Sequence, residues 1–186
     1  QMRTLRGYVD SNFAGRDWNL ATAMVMNGEA AFQIMGDWAK GEFIAAGKVP
    51  GQDFLCASTP GEGYLYNVDS FAMFNVDGDD KKAGQDLLAK LIVGQNFQKV
   101  FNLNKGSIPA RVDVALDEFD SCAHTSAKDM NASNEAGSLL PSYAHGMALR
   151  GAQAGAITDV VTAHFNSDMS SADAVEMLAN SVANSL

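Results

Sequence analysis

Asp37 and Trp38 stand side by side where an apolar run breaks, in the stretch AAFQIMGDWAKGEF at residues 30–43. A carboxylate accepts hydrogen bonds, and an indole offers a broad apolar face. An indole is also costly to expose and is usually packed away from a break in the chain. From these residues alone two interpretations stay open: Trp38 covers a hydrophobic core, or it is a platform that a ligand contacts.

The motifs that would carry catalysis or bind a metal are weak. The stretch NVDGDD alternates Asn75, Asp77 and Asp79 as a calcium loop does, but its glycine is the fourth residue rather than the sixth. The three histidines lack the paired spacing of a zinc site. Cys56 and Cys122 have no histidine and orienting group nearby that would activate a nucleophile. We therefore expect no catalytic residue, no metal and no cofactor.

The composition is that of a globular protein, with 47% hydrophobic and 19% charged residues in a chain of 186. This length suits one domain or parts of two small lobes. A net charge of −9, without a cluster of lysine and arginine, argues against a nucleic-acid partner. The two widely separated cysteines are compatible with two buried thiols or with one disulfide, and a disulfide would indicate an oxidising compartment.

Apolar periodicity and turn formers predict alternating helices and short strands in the first half, which is typical of an α/β fold. The segment GRDWNLATAMVMNGEA predicts a helix with Asp17 as N-cap and Gly28 at its end. EAAFQIMG predicts a short strand, and DWAKGEFIAAG predicts a second helix with Asp37 at its start. A further strand is predicted within VPGQDFLCASTPGEG, and YLYNVDSFAMFNV is predicted to be extended.

The second half is predicted to be mainly helical. A helix pair spans DGDDKKAGQDLLAKLIVGQNFQKVFNLNKG, with Asp79 or Asp80 as its first cap and Gly94 between the helices. Its first helix carries a predicted buried stripe, formed by Ala83, Leu87, Leu88, Leu91 and Ile92. SIPARVDV is predicted as a loop, ALDEFDSCAHTSAKDM as a helix and NASNEAGSLLPS as a polar loop. The last two helices are predicted from Met147 to Phe165 and from Ser171 to Ser185, the latter capped by Ser170 or Ser171.

Four segments together resemble a known family. They are WNLATAMVMNGEAAFQIMGDWAKGEF, the extended YLYNVDSFAMF, the helix pair ending in NKGSIPAR, and the terminal segment that begins YAHGMA. They are similar to the C-terminal half of bacterial ABC-transporter solute-binding proteins of the carbohydrate type, in particular the glucose/mannose-binding proteins. The resemblance covers nearly the whole chain, and its GEAAFQIMGDW and KGSIPAR elements are specific in combination.

The resemblance implies an α/β, type II periplasmic-binding-protein-like fold whose two lobes close around one sugar. Residues 1–66 would form the first part of the C-terminal lobe. Residues 67–112 would be the hinge crossing and helix pair of the N-terminal lobe, and residues 113–186 the terminal helices of the C-terminal lobe. The chain begins inside an amphipathic pattern, so we expect a fragment of a mature protein that lacks most of the N-terminal lobe.

The resemblance also implies a ligand-binding set of Trp38, Asp69, Lys105 and His145. The indole would cover the C–H face of a pyranose. Asp69 would accept hydrogen bonds from sugar hydroxyls, Lys105 would donate to a hydroxyl, and His145 would be a further hydroxyl partner. Without the resemblance, the alternatives are a core tryptophan, a solvent-facing acid, a lysine that complements a helix C-terminus, and a capping or loop histidine.

The function implied by the resemblance is capture of a monosaccharide, glucose or a similar hexose, in the periplasm and its delivery to the membrane permease of an ABC importer. Such a protein is not an enzyme, and its mechanism is hinge closure. A periplasmic location also implies a Cys56–Cys122 disulfide. The alternative is a carbohydrate hydrolase on an α/β scaffold, in which Asp69 would need a second carboxylate facing the same bond. An interaction domain without a ligand is the third hypothesis.

Overall fold

A computed structural model describes residues 1–184, which form eight α-helices and two short β-strands. The helices are α1 Met2–Arg6, α2 Trp18–Met26, α3 Ala39–Ala45, α4 Asp79–Ile92, α5 Gln95–Lys105, α6 Ser121–Glu135, α7 Gly151–Asn166 and α8 Ser171–Ala183. The strands are β1 Tyr64–Tyr66 and β2 Leu139–Pro141. The described chain is therefore rich in helix and carries only a small sheet.

The chain divides into two compact units. Unit 1 contains Gln1–Gly15, Leu65–Asn67 and the chain from Leu140 onward, and unit 2 contains Arg16–Tyr64 and Val68–Leu139. In unit 1, α7 packs against α8 and α1. In unit 2, α3 packs against α2 and α5, and α4 packs against α5.

The main predicted helices are confirmed, because their end signals act locally. Asp17 is the N-cap of α2, and Gly28 follows that helix with φ of 75°. Gly94 separates α4 from α5, and α5 ends at Gly106 in the left-handed conformation with φ of 88°. Ser170 caps α8 by accepting a hydrogen bond from the backbone amide three residues later.

Several predicted helix boundaries are wrong. The N-cap of α3 is Trp38 rather than Asp37, and the N-cap of α4 is Gly78, with Asp79 and Asp80 in the first turn. Helix α6 starts later than predicted, and the predicted polar loop at 131–142 contains its last residues and β2. Helix α7 starts at Gly151 rather than four residues earlier. The predicted end of the last helix, Ser185, lies outside the described residues.

Two predicted strands are absent from the described part of the chain. Residues 32–36 form no sheet, and the second predicted strand is reduced to an isolated bridge between Pro50 and Phe54. The sheet consists of β1 and β2, joined for example by the Tyr64 amide and the Ser138 carbonyl at 3.2 Å. An apolar run becomes a strand only where a neighbouring strand takes up its backbone groups. That condition depends on tertiary structure and not on the run itself.

The core of unit 2 gathers residues from α3, α6 and the loop before α6. Its buried apolar side chains are Ala39, Phe43, Val114, Phe119 and Ala123. The Phe43 ring stacks on Phe54 with ring centroids 4.4 Å apart. A Cys56–Cys122 disulfide, with Cα atoms 5.6 Å apart, confirms the predicted pairing and ties the segment after Phe54 to the first turn of α6.

Many large apolar side chains remain exposed in unit 2. The predicted burial of the α4 stripe is wrong for the described residues, because α4 contains no buried residue and Leu87 is 71% exposed. Phe32 is 90% exposed in the segment predicted as a strand. Other exposed apolar side chains of this unit include Ile34, Leu55, Phe71, Met73, Phe74, Leu88, Leu91, Val100 and Val112. So large an apolar surface is typical of a face that another segment covers.

Candidate functional site

The Trp38 side chain is held over the backbone of the turn that precedes α3. The amide of Ala39 donates to the Gly36 carbonyl at 3.1 Å, which closes the turn. A Cβ atom added at Gly36 would lie 2.1 to 2.5 Å from three atoms of the indole. The absence of a side chain at Gly36 thus makes room for the indole ring. The indole is neither fully buried nor fully exposed.

Asp37 does not cap α3, contrary to the prediction, because that helix has no side-chain cap at its start. Its Oδ2 instead accepts a hydrogen bond of 3.0 Å from the Ile108 amide, 71 residues further along the chain. The contact joins the turn before α3 to the loop after α5. Sequence patterns report only near neighbours, so no spacing rule would have found it.

Burial raises the pKa of Asp37 above its ordinary value, because the charged form loses contact with water. The Ile108 hydrogen bond and the charges of Lys40 and Lys105 act in the opposite direction without cancelling the effect. The buried Ser107 hydroxyl also favours the charged form, although it has no partner in hydrogen-bond geometry among the described residues. Asp37 is therefore a partly desolvated carboxylate with basic neighbours.

The end of α5 lies directly against the first turn of α3. A Cβ atom added at Gly41 would lie 2.5 Å from the Lys105 carbonyl oxygen, and one added at Gly106 would lie 2.5 Å from the Gly41 nitrogen. Both positions therefore require glycine for this approach. The approach brings Lys105 close to the Asp37–Trp38 turn.

Asp69 and Lys105 form an ion pair between the extended segment after β1 and the end of α5. The Asp69 side chain is 56% exposed and that of Lys105 is 28% exposed. The Lys105 ammonium also lies 5.9 Å from the centroid of the Phe101 ring. The pair thus presents an acceptor and a donor together at a solvent-accessible position.

Three of the four predicted ligand-binding residues belong to unit 2, and two of them are in contact. Asp69 contacts Lys105, the last residue of α5. Trp38 is linked to the loop that follows α5, because its neighbour Asp37 accepts a hydrogen bond from Ile108 in that loop. His145 belongs to unit 1, where it is exposed and its Nδ1 lies 2.8 Å from the Ser142 hydroxyl. The residues missed by sequence reasoning are Ile108 and Gly41, and no local signal marks either.

Residues 1–184 contain neither a metal-binding cluster nor a membrane-spanning helix. No group of three or more histidine, cysteine, aspartate or glutamate side chains in this range is arranged to hold a metal ion. None of the helices in the same range is both long enough and apolar enough to cross a membrane.

Curated relatives resemble this chain over most of its length. A "Probable sugar-binding periplasmic protein" of Brucella suis is 50% identical over 184 residues, which is 98% of this chain and 44% of the relative. A protein of the same name in Rhizobium meliloti is 49% identical over 184 residues, with the same two shares of 98% and 44%. An "Uncharacterized ABC transporter extracellular-binding protein" of Pyrococcus horikoshii is 33% identical over 159 residues, which is 83% of this chain and 34% of the relative. This chain thus spans less than half the length of these relatives.

The family model described as "Bacterial extracellular solute-binding protein" matches residues 1–132, which is more than half of the chain. The resemblance to solute-binding proteins seen in the sequence is thereby confirmed. The predicted location outside the cytoplasm is confirmed by the family description, and the Brucella and Rhizobium relatives are named as periplasmic. The chain belongs to the family of bacterial extracellular solute-binding proteins.

Proposed function

We propose that this chain is part of a periplasmic receptor that binds a monosaccharide, glucose or a similar hexose, and delivers it to an ABC-type import permease. The observation that carries the proposal is the Asp69–Lys105 pair, which is tied to the turn bearing Trp38 in a chain of this family. The names of the Brucella and Rhizobium relatives support a sugar as the ligand class. Binding and release then require no chemical step, and the receptor is not an enzyme.

The chemistry of a pyranose matches the residues of this turn. One face of the sugar ring presents C–H groups, and a partly exposed indole covers such a face well. The equatorial hydroxyls each donate and accept, so they need a mixed set of partners. A carboxylate and an ammonium held in contact supply both, and hydrogen bonds to charged groups contribute about 1.5 to 3 kcal/mol each. Trp38, Asp69 and Lys105 are therefore proposed as ligand-binding residues.

His145 is proposed as a further hydroxyl partner on the strength of the family resemblance. Its imidazole is exposed, and its Nδ1 lies 2.8 Å from the Ser142 hydroxyl. It belongs to unit 1, whereas the other three proposed residues belong to unit 2.

A further segment is proposed to supply the second wall of the site. The relatives are more than twice as long as this chain, and unit 2 exposes apolar side chains along α4 and along the segments predicted as strands. An N-terminal lobe that covers this face would supply backbone hydrogen-bond partners for the segments predicted as strands. It would also bury the apolar stripe of α4. The type II two-lobed fold and the division at residues 1–66, 67–112 and 113–186 are part of this proposal.

A carbohydrate hydrolase is the alternative, and Asp37 is the residue that would favour it. A raised pKa is typical of a general acid, and a glycosidase needs two carboxyl groups about 5 to 9.5 Å apart. The Asp37 carboxylate, however, is directed at the Ile108 amide within the protein. This favours a structural partner for the carboxylate over a glycosidic oxygen, and therefore favours binding over hydrolysis.

The test is calorimetry of the full-length protein with glucose and mannose, combined with an assay for hydrolysis of aryl glycosides. Asp69→Ala is expected to weaken hexose binding by at least about 2 kcal/mol, or about 30-fold, because it leaves hydroxyls unpaired in a closed cleft. The matched control is Asp113→Ala, which removes another exposed aspartate paired with a basic residue, Arg111. If Asp69→Ala binds hexose with an affinity within twofold of the parent, Asp69 is not in the site. If the protein hydrolyses the aryl glycoside, it is a hydrolase rather than a receptor.

A further inference from the structure

We infer that Asp37 is a positioning residue that fixes Trp38 relative to Lys105 by holding the loop after α5 against the turn before α3. The inference deepens the proposed function and rests on it for the consequence on sugar affinity. The position of the Trp38 side chain can be measured without any sugar.

Asp37 joins two segments that are distant in the chain. The turn and the loop are far apart in sequence, and the Asp37–Ile108 hydrogen bond of 3.0 Å connects them directly. Asp37 precedes Trp38 by one residue, and Ile108 follows Lys105 by three. A short covalent path therefore leads from each end of this bond to a proposed ligand-binding side chain.

The two segments also approach each other closely at a pair of glycines. The Gly41 and Gly106 backbones leave no room for a Cβ atom on either residue. The left-handed conformation of Gly106 turns the chain at this point, and the Ile108 amide two residues later reaches the Asp37 carboxylate. Glycine contacts bring the two segments together but have no direction, whereas a hydrogen bond sets their register.

A carboxylate at position 37 loses part of its hydration. A partly buried carboxylate that does not cap its own helix is unfavourable unless its partners offset the lost hydration. Ile108 supplies a backbone donor, and Lys40 and Lys105 supply positive charge. The Lys105 ammonium therefore interacts with two carboxylates. Its charge favours the ionised form of Asp37, and it forms an ion pair with Asp69. Asp37 thus acts on both the backbone and the charge of the segment that carries Lys105.

The test labels the full-length protein with 5-fluorotryptophan and follows the ¹⁹F resonance of Trp38, assigned by its loss in Trp38→Phe. Asp37→Ala removes the acceptor and is expected to shift and broaden this resonance in the folded protein. Asp37→Asn keeps a side-chain oxygen that can accept the hydrogen bond from the Ile108 amide. This variant is therefore expected to give the same Trp38 resonance as the parent. The resonance of Trp18, which lies in the same unit, serves as the internal reference.

The matched control is Asp53→Ala, which also removes a carboxylate that accepts from a backbone amide, that of Val49 at 2.7 Å. It is expected to leave the Trp38 resonance unchanged. If Asp37→Ala does not fold, Asp37→Glu decides, because it keeps charge and acceptor but lengthens the side chain by one methylene. The Trp38 resonance should then move, and a parent resonance in the folded Asp37→Glu protein would overturn the inference.

Calorimetry with glucose then tests the consequence for binding. Asp37→Ala is expected to weaken glucose binding by about tenfold or more, since small misplacements of a positioned group are costly, while Asp37→Asn stays within about threefold of the parent. A parent protein that binds no hexose, with a Trp38 resonance that responds as expected, would refute the proposed function and support the positioning role. A folded Asp37→Ala protein with parent resonance and parent affinity would refute the positioning role alone.

Discussion

Lys40 and Asp120 form a partly buried ion pair in which the lysine Nζ lies 2.8 and 2.7 Å from the two carboxylate oxygens. The Lys40 side chain is only 5% exposed, against 26% for Asp120. Asp120 is also the N-cap of α6, where it accepts from the Ala123 amide. Burial by itself would raise the pKa of Asp120, but these hydrogen bonds and the Lys40 charge outweigh it, and the pKa is lowered. One carboxylate thus connects α3 to the start of α6.

Replacement of Lys40 should destabilise unit 2. Lys40→Met keeps most of the apolar packing but leaves the Asp120 carboxylate without its cation, so we expect the free energy of unfolding to fall by about 2 to 3 kcal/mol. The control is Lys99→Met, which breaks the more exposed pair with Glu118 and should cost less than about 1 kcal/mol. Urea unfolding of the three proteins measures both values, and equal losses would contradict a special role for the Lys40 pair.

Asp37 should give the protein a component of stability that grows in acid. Its raised pKa means that the folded state holds the proton more tightly than the unfolded state. Stability from this group is therefore complete below the ordinary value of 3.8 and is lost as pH rises through the folded pKa. The groups that act on it are Lys40, Lys105, Ser107 and Ile108.

The comparison of Asp37→Asn with the parent isolates this component. Asn does not titrate, so the parent should gain stability relative to the variant as pH falls from about 7 to about 4. Asp120 and every other group are common to both proteins and cancel in the difference. Urea unfolding at several pH values gives the curve, and a difference that does not change with pH would show that the Asp37 pKa is ordinary.

The Cys56–Cys122 disulfide should contribute a large share of stability. Closure of a loop of 66 residues lowers the entropy of the unfolded chain, which corresponds to about 4 kcal/mol in the chain-entropy model. Reductant should lower the midpoint of thermal unfolding of the parent and leave the double variant Cys56→Ser, Cys122→Ser unchanged. Two reactive thiols in the denatured, unreduced parent would refute the bridge.

Gly36→Ala should displace the Trp38 ring. The added methyl group would overlap the indole in its present position, so we expect the ring to move and hexose affinity to fall about tenfold in the full-length protein. Gly84→Ala is the control, because Gly84 lies inside α4 with no atom within 4 Å of an added Cβ. It should leave binding unchanged and stabilise α4 by about 0.5 to 1 kcal/mol. If Trp38 fluorescence is unchanged in Gly36→Ala, the contact between Gly36 and the indole does not determine the position of the ring.

The 186-residue chain by itself should bind glucose only weakly. An open site leaves the hydroxyls in water, where charged partners gain little, so we expect affinity no better than about millimolar. The exposed apolar stripe at Leu87, Leu88 and Leu91 should also promote self-association or capture of the complementary N-terminal segment. Calorimetry and sedimentation measure these properties, and micromolar binding by a monomer would mean that the site is complete within this chain.

The helices were the most predictable part of the molecule. The caps at Asp17 and Ser170 and the turn at Gly106 depend on a few adjacent residues, so their sequence signals sufficed. The strands were less predictable. The run at 32–36 has the composition of a strand, yet a strand also needs a partner that the run does not encode. The predicted burial of the α4 stripe was wrong for a related reason. An apolar stripe predicts that a helix face is covered, but it does not identify the segment that covers it.

The sequence by itself determined the family, the candidate ligand-binding residues and the chemistry each side chain offers, because these depend on residue type and local motif. The relation between those residues was decided only by tertiary structure. Asp37 lies two residues before the first residue of α3 and was predicted to cap that helix on local grounds, but its carboxylate instead accepts a hydrogen bond from the Ile108 amide. The reason is that the Gly41–Gly106 approach brings a distant backbone donor within reach, and a partly desolvated carboxylate is most stable where donors and positive charge surround it.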